Sequence, residues 1–91
     1  MSSTDRILEI TQRLHADVNE FLRRIEVTFY GDAVRFSRSD DSTRHVELET
    51  KKAGTMVTYH RAGGNITSSG PYAMEAALDV AATYVRELLI D

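Results

Sequence analysis

Ninety-one residues make one small domain, near the lower limit of chains that fold without help, and an apolar content of 42% is too high for a disordered one. There is no cysteine, which excludes disulfides and thiolate metal sites, and no apolar run is long enough to span a bilayer, so a cytoplasmic protein is expected. The net charge is −3, and its surplus falls at the C-terminal end, where Glu75, Asp79, Glu87 and Asp91 stand against Arg86 alone.

In chain order, Ile7, Ile10, Leu14, Val18, Phe21, Leu22 and Ile25 recur at helical spacing and form one apolar stripe, which predicts an amphipathic helix over about 4–24. Ser3 or Thr4 can cap its start. Asp5 in the first turn and Arg23 and Arg24 in the last suit the helix dipole.

The period then switches from 3.6 to 2. Val27 and Phe29 alternate with Glu26, Thr28 and Tyr30, and Gly31-Asp32 suits a two-residue II′ hairpin with glycine at positive φ. That turn sets Tyr30 opposite Ala33, Phe29 opposite Val34 and Val27 opposite Phe36, with Val27, Phe29, Val34 and Phe36 on one face. A loop at Ser39-Asp40-Asp41-Ser42-Thr43, a turn at Lys51-Lys52-Ala53-Gly54 and another at Gly63-Gly64 continue the meander. The strands are expected at about 26–30, 33–38, 44–50, 55–61 and 65–68.

The inner ladder reads Val27–Phe36–Val46–Tyr59 and Phe29–Val34–Leu48–Val57, with Ile66 returning to the inner face near Arg61. The outer rows read Glu26–Ser37–His45–His60, Thr28–Arg35–Glu47–Thr58 and Tyr30–Ala33–Glu49–Met56.

Ser69-Gly70-Pro71 opens a second helix over about 71–90, with proline at the first helical position. Met74, Ala77, Leu78, Ala81, Val85, Leu88 and Leu89 share its inner face, while Ala73, Val80 and Tyr84 form a shoulder toward the first helix. The expected fold is α+β, a two-layer sandwich: an N-terminal helix, an antiparallel meander of four to five strands and a C-terminal helix, both helices on one sheet face.

No residue set points to catalysis. His45 and His60 are cross-strand neighbours with Glu47 nearby, but two imidazoles on a wet face are a weak metal signal. No serine sits in a Gly-x-Ser-x-Gly elbow, and Gly63-Gly64-Asn65 lacks a phosphate-loop pattern. No cofactor and no metal site are expected.

The order of elements, with Ala73-Met74-Glu75-Ala76-Ala77-Leu78 in the second helix, is similar to the double-stranded RNA-binding domain. That resemblance implies phosphate contacts from the start of this helix. The corresponding turn here offers Tyr72, Glu75 and Asp79, which repel phosphate, so nucleic acid is not the expected partner. The order is also similar to frataxin-like sandwiches, but their acidic first helix is replaced here by one in which acids and arginines balance.

What remains is a surface. The expected function is a non-enzymatic protein-binding module of the bacterial inhibitor or immunity type, directed at a toxin or nuclease-like protein. The alternative is a dimeric accessory or secretion-chaperone-like protein. Glu75, Asp79 and Glu87 are candidates for steering a basic partner. Tyr30, Arg35, Glu47 and Met56 form the second candidate contact set, on the other side of the domain.

Overall fold

A computed structural model describes residues 3–90. The elements are α1 (Ser3–Leu14), α2 (Val18–Arg24), β1 (Ile25–Tyr30), β2 (Ala33–Arg38), β3 (Asp41–Lys51), β4 (Gly54–His60), β5 (Ile66–Tyr72) and α3 (Met74–Ile90). The strands form one antiparallel sheet in sequential order, β1-β2-β3-β4-β5, and a 3-10 turn at Ala62–Gly64 joins the last two. The helices cover one face, giving the expected α+β sandwich. α3 lies across β2 to β5, α2 packs on β1, and α1 packs against α3.

The registers follow from alternation. Val27, Phe36, Val46 and Tyr59 are successive cross-strand partners, as are Phe29, Val34, Leu48 and Val57. Gly31 takes φ 54° while Asp32 stays at negative φ, as a II′ turn requires. The core joins Ile10, Phe21 and Ile25 to Phe36, Val46, Leu48 and Val57 and to Ala77, Ala81, Val85 and Leu88 of α3. Phe21 meets Phe36 edge-on, with ring centroids 6.2 Å apart.

Five expectations need correction. The helix over 4–24 is broken. His15 takes φ 55°, Ala16 N–H donates to the Thr11 carbonyl and His15 N–H to that of Gln12, which is the Schellman ending of a helix. Asp17 then caps α2 by accepting from the Asn19 and Glu20 amides. The stripe conceals this break because both helices carry apolar residues at helical spacing, although Val18 and Leu22 of α2 are exposed. With α1 beginning at Ser3, any residue capping its start lies outside the described residues.

Second, Asp41 to Thr43 belong to β3. A register shift between Ser37 and Arg38 tightens the turn, and Arg38 clamps Asp40 through two bonds of 2.8 Å. Third, Pro71 lies within β5, next to its last residue Tyr72, instead of opening α3, and the Gly70–Pro71 peptide is cis. At Gly70, φ is 117°, and a Cβ would come within 2.8 Å of the Thr55 carbonyl oxygen, so the close crossing of β4 and β5 needs glycine there.

Fourth, Ile66 pairs with His60 and therefore lies on the outer face, 60% exposed. The β4–β5 irregularity lets Tyr72, opposite Thr55, reach the core instead. Fifth, the Tyr84 ring packs on Tyr59 of β4, centroids 5.0 Å apart, so that part of the shoulder meets the sheet.

Candidate functional site

The face of the sheet away from the helices displays the three expected outer rows, with Ile66 and Ser68 of β5 added beside His60 and Thr58. At one end Arg35 is held by its neighbours. Its Nη2 donates to the Tyr30 hydroxyl at 2.9 Å and reaches the Glu47 carboxylate at 3.4 Å, and its guanidinium lies 5.2 Å from the Tyr30 ring centroid. Met56 and Glu49 complete this end through their pairing across β3 and β4. The structure thus brings Tyr30, Arg35, Glu47 and Met56 onto one continuous surface.

Toward the other end the His45 and His60 rings stack, with centroids 4.0 Å apart and planes 25° from parallel. His45 is only 7% exposed. Its Nδ1 faces the Ser42 carbonyl oxygen at 3.2 Å, so in the neutral ring Nδ1 carries the proton and Nε2 the lone pair. That Nε2 is buried and has no hydrogen-bond partner among the described residues. Burial, then the positive charges of His60 and Arg35, hold the His45 imidazole below its ordinary range.

Glu47 shows the opposite response of an acid. Burial, then the charge of Glu49, pushes its carboxyl above the usual range, and the loose contact with Arg35 does not offset this. Among the described residues, no group of three or more His, Asp or Glu side chains is arranged to hold a metal ion.

The α3 acids are divided. Asp79 accepts from Arg13 Nε at 2.5 Å, Glu75 lies 3.9 Å from the same guanidinium, and Glu9 completes the cluster at 2.6 Å. Glu9, Arg13 and Glu75 border a cleft of about 420 Å³ between α1 and α3. Glu87 lies elsewhere, 3.9 Å from Arg61, at a cleft of about 390 Å³ beside the β4–β5 turn. Arg13 and Arg61 therefore reduce the free charge that the three acids present together.

The C-terminus of α3 has no basic residue of its own in its last turn. Arg24 and Arg38 supply that charge, donating to the Leu89 and Leu88 carbonyls at 2.6 and 3.2 Å.

Sequence reasoning reached the His45–His60 pairing but not the burial of His45, which depends on its neighbours' side chains. It also missed Ile66 on this face. The available signal was the distance from His60 to Ile66, which is compatible with a tight turn setting the two opposite each other. No protein-family model, no curated protein and no solved structure matches the chain.

Proposed function

We propose that the chain is a small non-enzymatic protein-binding module of the inhibitor or immunity type, which binds and neutralises another protein through the bare face of its sheet. The observation that carries this reading is the ordered Tyr30–Arg35–Glu47 group beside Met56, on a face that none of the described helices covers. An aromatic ring, a held guanidinium and a thioether are the side chains on which binding energy concentrates at interfaces. The acidic balance of the chain favours a basic partner by speeding encounter. The Arg13 cluster argues for the sheet over α3 as the contact surface, because Glu75 and Asp79 are already engaged.

Affinity capture from the source cells, with mass spectrometry, compares three chains: wild type, Tyr30→Ala with Met56→Lys, and Glu75→Lys with Asp79→Lys. The expected result is a basic protein held by the wild type and the α3 variant and lost by the sheet variant. A partner lost only by the α3 variant moves the interface to the helices, and the absence of any retained partner ends the proposal. A second reading, a dimeric accessory or chaperone-like protein, is favoured by the form of strand β1.

A further inference from the structure

The two edges of the sheet are finished differently. β5 carries Pro71, which offers no N–H, together with Gly70 and an irregular pairing between Thr55 and Val57 of β4. Proline and bulges are the devices that stop an edge from recruiting another strand. β1 has neither. Its residues Ile25–Tyr30 pair with β2 without a register shift and include no proline, glycine or lysine.

The hairpin determines which backbone groups of β1 are free. A two-residue turn makes Tyr30 and Ala33 exchange both backbone bonds, and bonded pairs alternate along an antiparallel ladder. Glu26 and Thr28 therefore also bond to β2, while Ile25, Val27 and Phe29 point their N–H and C=O groups away from it. Ile25 fits this pattern, since its N–H is taken by the Phe21 carbonyl. Val27 and Phe29 remain as an open template.

Exposed apolar side chains gather along the same side. Phe29 belongs to the helix-covered face but is 47% exposed, because β1 lies at the margin of that layer. Arg24 of α2 reaches α3, so the opposite flank of α2, which at 3.6 residues per turn carries Val18 and Leu22, faces the β1 side. Both are exposed. Leu8 is likewise exposed, on the flank of α1 turned away from Arg13 and its partner Asp79.

We propose that a second copy of this chain docks along β1, pairing the two β1 strands antiparallel about a twofold axis at Thr28 and joining the two sheets into one. The strand is self-complementary in that register. Val27 falls opposite Phe29 on the helix-covered face, and these are the residues whose free N–H and C=O groups then bond across the seam. Thr28 meets its own copy. Glu26 falls opposite Tyr30, which holds Arg35, so the charges that meet are of opposite sign. On the helix side, Val18 and Leu22 approach the seam from both copies and extend the apolar contact beyond the strands.

This inference deepens the dimeric reading. Tyr30 belongs to both surfaces, but the seam is tested at Phe29 and Thr28 by oligomeric state and the bare face by capture of a different protein, so the failure of one leaves the other standing. Sedimentation of the full chain is expected to give twice the 10.2 kDa monomer mass, and Phe29→Lys to halve it with an unchanged far-UV spectrum. The chain has no cysteine, so Thr28→Cys places one thiol at the axis. Cβ atoms of a directly opposed pair lie about 4.5–5.5 Å apart, close enough to disulfide reach for oxidation to link two copies covalently. Ser68→Cys, on the outer face of β5, serves as the comparison and is expected to stay largely unlinked.

A wild-type chain that stays monomeric up to millimolar concentration overturns the proposal, as does a dimer that survives Phe29→Lys. Should Phe29→Lys fail to fold, the thiol pair decides: rapid linkage of Thr28→Cys alone supports the seam, and equal linkage of both cysteine variants sinks it.

Discussion

The covered and bare faces of the sheet come from the same five strands, yet burial has a different origin on each. On the covered face Val34, Phe36, Val46, Leu48 and Val57 are fully buried because helices lie on them. On the bare face Ala33, Ser37 and His45 are 4, 5 and 7% exposed with none of the described helices above them. For His45 the stacked His60 ring supplies part of the cover. Phe29 makes the converse point, since it faces the helix layer and is still half exposed at the margin. Which face a residue occupies is a matter of parity along the strand, whereas how deeply it is buried depends on what stands around it.

The largest test of this contrast is truncation on the covered face. Phe36→Ala is expected to remove about 3–5 kcal/mol in urea unfolding, and Leu48→Ala about 2–5 kcal/mol. Thr28→Ala on the bare face is expected to change stability by less than about 0.5 kcal/mol. Comparable losses on the two faces would mean that the bare face is packed in the isolated chain.

Acid comes next. The folded chain holds His45 below its ordinary range, so the unfolded chain binds the extra proton first. Stability is therefore expected to fall as pH drops below about 6.5, the ordinary histidine value, and to go on falling until the folded-state imidazole is also protonated. His45→Gln should flatten that slope. A melting temperature that is level from pH 7 to pH 5 in the wild type would show that shielding by side chains alone does not desolvate this ring.

Glu47 works in the opposite sense and adds a smaller effect. Its raised carboxyl favours the folded state below the ordinary glutamate value of about 4.3, an advantage lost as pH rises through the folded-state value. Glu47→Gln is thus expected to be neutral or stabilising at pH 7 and to lose that advantage near pH 4. Separate melts of the Glu47 and His45 variants across this range distinguish the two groups. The smallest change is expected for Arg35→Ala, under about 1 kcal/mol in a urea titration, because the pair with Glu47 is long and the Arg35 side chain is 39% exposed. Any strong effect of Arg35→Ala would then appear in partner binding.

Much of this arrangement is legible in the chain. Alternation across Val27–Phe29, Val34–Phe36, Val46–Leu48 and Val57–Tyr59 leaves one register in which every apolar residue shares a face, and that register is the one observed. The Tyr30–Arg35–Glu47–Met56 set follows from it. The helix break was not legible from apolar spacing, because α1 and α2 continue the same stripe, and the signal lies in Asp17 as a cap and in His15 adopting a glycine-like conformation. Pro71 misled for a related reason: proline suits the first turn of a helix and also the end of an edge strand, and local chemistry does not separate the two.

The amino-acid sequence by itself determined the sandwich and the pairing of β1 to β4, because a period of two leaves each side chain only one of two directions and one apolar face must be covered. Tertiary structure alone decided that Arg13 engages Glu75 and Asp79, that His45 is buried beneath its neighbours, and that Phe29 stays open at the margin. Those outcomes depend on how far a helix layer reaches across a sheet and on which long side chains meet, distances that the order of residues along the chain does not encode locally.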